Sequence, residues 1–209
     1  MPITFFGFTI YEPMTVLTNL ILAFMCWWIY EQQKEGNRNW AYFFLFLSLS
    51  TLSAAVGHGY SELLDNPVKF FSRAFALVSV YFGGFASIQI LGREQLRLVL
   101  KWVLLIQSVV FFAWLVMDNT FLPIKFNSIL GLGIIVLGIH LHSLATNKDT
   151  RDMWIVLGII INASAAIVNT YKWNLSPNFT YHDIGHVIMM IGIIVMYQGV
   201  SKYKLIHAT

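Results

Sequence analysis

His182 and His186 stand four residues apart in "TYHDIGHVIMM", residues 180–190, with Asp183 between them. On an α-helix, residues four apart lie one above the other, so both imidazoles can face one ion. His58, in "VGHGY", is a candidate third ligand. Three protein ligands with an open fourth position is the pattern of a catalytic zinc, whereas closed structural sites use four. Zinc lowers the pKa of its bound water to about 7 and so makes a nucleophile at neutral pH. The same spacing also suits histidines that only hydrogen-bond at a membrane rim. Asp183 points about 100° away from His182 around a helix. It could orient a ligand from behind, pair with Arg73 or Lys172, or simply favour the positive end of the helix. His140 and His142 are two apart and diverge by about 160°, so they read as interface residues.

The elements that must position these groups are membrane spans. The chain has 209 residues, 57% hydrophobic and 11% charged, with a mean hydropathy of +0.68. Soluble domains carry about a quarter charged residues. A span needs roughly 20 mostly apolar residues, and seven stretches qualify: 12–31, 39–60, 69–91, 97–117, 121–144, 153–171 and 181–201. The connections are short and polar, so residues 1–209 form a single seven-transmembrane domain, an all-α polytopic bundle. The first ten residues, MPITFFGFTI, carry no basic side chain and do not resemble a cleavable signal. The single cysteine, Cys26, supports no disulfide.

Charge sets an expected orientation. With the N-terminus outside, the inner side holds Lys34, Arg38, Arg93, Arg97, Lys148, Arg151, Lys202 and Lys204; the outer side holds Lys69, Arg73, Lys125 and Lys172. Eight against four favours N-out and C-in, the C-terminus cytoplasmic. His58, His182 and His186 then share one level in the outer half, with Glu12, Asn19 and Arg73 beside them. Ionisable residues within spans are costly and usually face a cavity or a partner. No basic cluster is dense enough for nucleic acid, and the oligomeric state leaves no mark in the sequence.

Seven spans, a histidine late in the second and H-x-x-x-H in the seventh resemble the superfamily of alkaline ceramidases and adiponectin/progestin receptors. "EPMTVLTN", with Glu12 and then Thr18-Asn19, resembles the first span of the ceramidase branch, and "HGYSELLD" its stretch after span two. The resemblance implies a zinc held by His58, His182 and His186, and hydrolysis of a lipid amide or ester. Ser53 would stand in for the family's serine, although Ala54 occupies the position four before His58. Asp65 would match the family's aspartate, with a gap. The ceramidase calcium site draws on an acidic N-terminal arm; here only Glu12 carries over, which argues against calcium.

The expected activity is a zinc-dependent intramembrane hydrolase of a membrane lipid, its site facing the outer or luminal side of a bacterial inner membrane or a eukaryotic endomembrane. Asp65, Asp183 or Glu12 would take the water's proton, and Ser53 or Asn19 would steady the oxyanion. The alternative is a lipid-binding or receptor-like protein with a structural zinc. A haem subunit would need axial histidines on two facing helices. A retinal protein would need a lysine within the last span, and residues 181–201 contain none.

Overall fold

In a bilayer every backbone polar group must be satisfied within the protein, which leaves helices or closed barrels. The computed structural model describes residues 3–5, 8–60 and 65–205. Among them seven helices are long and apolar enough to cross a membrane, as the seven apolar runs lead one to expect. These are α1 (Pro13–Gln33), α2 (Arg38–Gly59), α3 (Asp65–Ile88), α4 (Glu94–Met117), a three-part fifth span, α7 (Thr150–Tyr171) and α8 (Tyr181–Val200). Boundaries differ from the apolar runs by a few residues. Polar side chains such as Glu94 and Gln95 continue the helical ladder beyond the hydrophobic part.

Two features were not foreseen. Strands β1 (Ile3–Phe5) and β2 (Phe8–Ile10) pair antiparallel, with Ile3 opposite Ile10. Tyr11 N donates to Gly59 O at 3.4 Å and ties this hairpin to the end of α2. The fifth span is also irregular: α5 (Leu122–Ser128) passes through a π-helical stretch, Ile129–Val136, into α6 (Leu137–Asn147). A Cβ at Gly131 would lie 2.3 Å from Val80 Cγ1, so this wide turn presses bare backbone against α3. π-turns are rare and frequently mark functional segments.

Helix ends follow ordinary chemistry. Pro13 occupies the first turn of α1, where its missing N–H costs nothing. Asn37 caps α2 by accepting from Trp40 N at 3.3 Å, and Asp149 caps α7 by accepting from Arg151 N at 2.9 Å. The Arg151 guanidinium also bonds Asp149 and holds its carboxyl below the usual carboxylate range. Lys148 and Lys172 close α6 and α7 in the left-handed conformation. Around the bundle, α2 packs on α1 and α3, α8 on α1 and α7, and α6 on α7. α4 leans on α3 from outside, with Val99, Ile106 and Val109 exposed.

α7 packs along the length of α8. Gly185, Gly192 and Gly199 recur every seventh residue on α8, opposite Asn169, Asn162 and Ile155 of α7. A Cβ at Gly192 would stand 2.6 Å from Asn162 Cγ, and one at Gly199 2.5 Å from Arg151 O. From the other side, a Cβ at Gly158 would stand 2.7 Å from Gly192 O and 2.8 Å from Met196 N. Small residues that let backbones meet are the usual means of joining helices in lipid. Gly158→Ala therefore meets rigid backbone, whereas Gly185→Ala meets only the end of the Asn169 side chain, at 2.7 Å. Thermal unfolding in detergent should show Gly158→Ala destabilised by about 1–3 kcal/mol, the usual cost of overpacking. Gly185→Ala should be close to neutral, because alanine's helix propensity, worth up to about 1 kcal/mol, offsets a flexible clash. The reverse order would contradict the seam.

Candidate functional site

Seven residues separate Gly185 from Gly192, so the glycine line fixes the rotation of α8. Relative to Gly185, His182, His186 and Asp183 lie at about 60°, 100° and 160° in one sense. That flank turns towards α1 and α2. His58 sits in the last turn of α2, and its ring centroid is 5.5 Å from that of His182. Two imidazoles on one tetrahedral zinc, with metal–nitrogen bonds near 2.0–2.1 Å, have centroids about 5 Å apart. The spacing of this pair therefore suits a shared ion.

α1 supplies partners for the outward ring nitrogens. His58 Nδ1 lies 2.9 Å from Glu12 Oε2. This hydrogen bond holds the Glu12 carboxyl below its ordinary range against partial burial. His186 Nδ1 lies 2.9 Å from Thr18 Oγ1. Thr18 can give its proton to Thr15 O at 3.2 Å or Asp183 Oδ1 at 3.4 Å. It then accepts Nδ1–H of His186. In that tautomer the Nε2 atoms of His58 and His186 carry the free lone pairs. Metal-bound histidines are commonly oriented in this way, by a second partner on the other nitrogen.

Asp183 is fully buried. Its Oδ2 accepts from Thr180 N at 2.6 Å and Thr180 Oγ1 at 3.1 Å, and its Oδ1 faces Thr18. It is the third-position partner in the capping box of α8, whose N-cap is Thr180, and does not pair with Arg73, which donates to Asn119 O and Oδ1. Asn19 is buried; its Nδ2 bonds Thr15 O at 2.9 Å while its Oδ1 has no partner. Ser53 is half-buried on α2, and no hydrogen bond of its own ties it to the histidines. Asp65 opens α3, but its side chain and the "SELL" stretch before it lie outside the described residues. No three His, Cys, Asp or Glu side chains among the described residues converge on a single point in their present positions. The donor type, the His58–His182 spacing and the partners on Nδ1 suit a zinc, but among the described residues no third ligand joins that pair.

A sequence profile for a family of unknown function, DUF6962, matches residues 14–205. The chain belongs to DUF6962. No curated protein and no solved structure matches it. The family carries no assigned chemistry, so the DUF6962 site has to be read from its own geometry.

The DUF6962 chain has a second polar centre, at the opposite end of the bundle, and here the sequence reading needs correction. His140, expected at an interface, is fully buried; His142 is the exposed one of the two. His140 Nδ1 lies 2.5 Å from Asp152 Oδ1 and its Nε2 3.1 Å from Ser87 Oγ. Asp152 also accepts from Ser143 Oγ and Tyr203 OH, both at 2.6 Å. The turn between α6 and α7 brings residues twelve apart face to face, which helical spacing could not reveal. Ser87, His140 and Asp152 have the order of a serine–histidine–aspartate relay. Ser87, however, is 0% exposed and bonds Gly83 O at 2.9 Å. A nucleophile must touch its substrate, so this centre is a lock joining α3, α6, α7 and the C-terminal turn Ser201–Leu205.

Removing one member of a buried pair leaves the other charged or polar group stranded, at a cost of about 3–5 kcal/mol. Asp152→Ala should show that loss in detergent unfolding, whereas His182→Ala, at a half-buried position, should stay within about 1 kcal/mol of the parent. Equal losses would merge the two centres into one structural role.

Proposed function

We propose that this protein is a zinc-dependent intramembrane hydrolase that cleaves an amide or ester bond of a membrane lipid. The observation that carries the reading is the convergence of His58 and His182 at a spacing suited to one ion, beside His186, with Glu12 and Thr18 behind the rings. His58, His182 and His186 would hold the metal. Zinc bound there supplies an acidic water and polarises the scissile carbonyl.

The protein's own groups have separable parts. Thr18 and Asp183 hold His186 in place and keep α8 in register. Among the described residues Glu12 is the half-exposed carboxylate of the site, so it can exchange a proton with water; Asp183, buried and hydrogen-bonded on both oxygens, is a positioning residue. The Asn19 Oδ1 atom, buried without a partner, offers an acceptor for a donor group of the substrate. An unpartnered buried acceptor costs about 1–3 kcal/mol, recovered when a donor arrives. Exposed apolar side chains around the bundle suit lateral access from the lipid, and the excess of basic residues at the other end supports an outer or luminal site.

Metal analysis of purified protein should find about one zinc per chain and very little in His58→Ala and His182→Ala. Thr18→Val should weaken zinc binding by roughly 10- to 100-fold, as the loss of a ligand's supporting partner does. Chelation should abolish fatty-acid release from a panel of amide- and ester-linked lipids, and added zinc should restore it. Wild-type zinc content in both histidine variants would overturn the site. Stoichiometric zinc with no turnover of any lipid would leave the metal structural and overturn the activity.

A further inference from the structure

The outer face of α4 carries an unusual row. Arg93, Arg97, Lys101, Leu105, Val109 and Ala113 follow one another at intervals of four, so they lie along a single ridge of the helix. The first three are cations and the last three apolar. On α3, Leu77, Tyr81 and Phe85 run at the same interval. Leu77, Val78, Tyr81, Val109, Phe112 and Ala113 help line a groove of about 390 Å³ between the two helices, almost wholly apolar. That size lies at the small end of ligand clefts, about 300–1,000 Å³. At its end away from His58, Lys101 Nζ stands 5.4 Å over the Phe85 ring. Neither Arg97 nor Lys101 has a carboxylate in ion-pair range among the described residues.

We infer that the α3–α4 groove holds one anionic phospholipid, its phosphate on Arg97 and Lys101 and an acyl chain along Leu105, Val109 and Ala113. A cation within the span gains most from an anion at the headgroup level, where its long side chain reaches the interface. Basic pockets between helices bind anionic headgroups in this way. Zwitterionic lipid fills the groove equally well but brings its own cation to the two basic groups, so charge decides between them. The site is separate from the histidine centre and stands whether or not the hydrolase reading does.

Native mass spectrometry of the purified full-length protein, titrated with phosphatidylglycerol or phosphatidylcholine of identical chains, tests it. Phosphatidylglycerol should bind about thirtyfold more tightly, which matches roughly 1 kcal/mol for each of the two basic residues near an anionic headgroup. R97Q/K101Q should lose that preference, while R38Q/K148Q, with the same loss of charge elsewhere, should keep it. V109W, which fills the groove and leaves the cations alone, should weaken binding of both lipids. Glycerol phosphate without chains should not compete at equal concentration. Preference retained in R97Q/K101Q, or lost equally in R38Q/K148Q, would overturn the proposal. So would displacement by glycerol phosphate or unchanged binding in V109W. If R97Q/K101Q does not fold, the V109W and glycerol phosphate arms still decide.

Discussion

The architecture hangs on the glycine seam between α7 and α8. In lipid there is no hydrophobic gain from joining two apolar helices, so close backbone packing has to supply the attraction. A seven-residue repeat of glycine on α8 does this, and at the same time it fixes which way that helix faces. Had the glycines been shifted by one residue, the face bearing His182, His186 and Asp183 would turn by about 100°. The histidines would then leave α1 and α2 for another neighbour or the lipid. The chemistry of one end of the molecule is therefore set by steric contacts distributed along a whole helix.

The two polar centres answer the same physical problem in opposite ways. At the far end His140 and Asp152 are sealed and matched to each other: Asp152 takes three hydrogen bonds and His140 uses both ring nitrogens. A buried carboxylate is tolerable only with such matching. At the histidine end the matching is left incomplete. Asn19 Oδ1 is buried and unpaired, and the Nε2 atoms of His58 and His186 face away from their supporting partners. Satisfied groups specify packing; unsatisfied ones leave capacity for a ligand.

Much of this was legible in the sequence, for definite reasons. The seven spans announce themselves because bilayer thickness dictates their length. The pairing of His58 with the last span followed from depth alone, since consecutive spans reverse direction. The glycine repeat of α8 was missed, because small residues on a helix carry no sign of what faces them. The His140–Asp152 pair was not legible. It depends on the angle at which α6 and α7 leave a short turn, and on Ser87 and Tyr203 arriving from remote parts of the chain. The N-terminal hairpin was missed because three-residue strands carry too little alternation to register. Asp183 was only half legible: its place at the third position of a helix permits capping, but its bond to Thr18 requires α1 to stand alongside.

Glu12 shows how these constraints meet in one residue. It follows a hairpin pinned to Gly59 by Tyr11 and precedes Pro13, which opens α1. It is the N-cap of α1, yet its side chain makes no capping bond. Short side chains such as Asp or Ser are the favoured caps, and a glutamate is too long to serve its own helix well from that position. Here it reaches across to His58 instead. Its carboxylate is therefore tied to a second helix rather than to its own. Asp183 makes the contrary choice at the start of α8 and keeps its cap. Of the described carboxylates beside the histidines, Asp183 is bound into its own helix end and Glu12 reaches across to another.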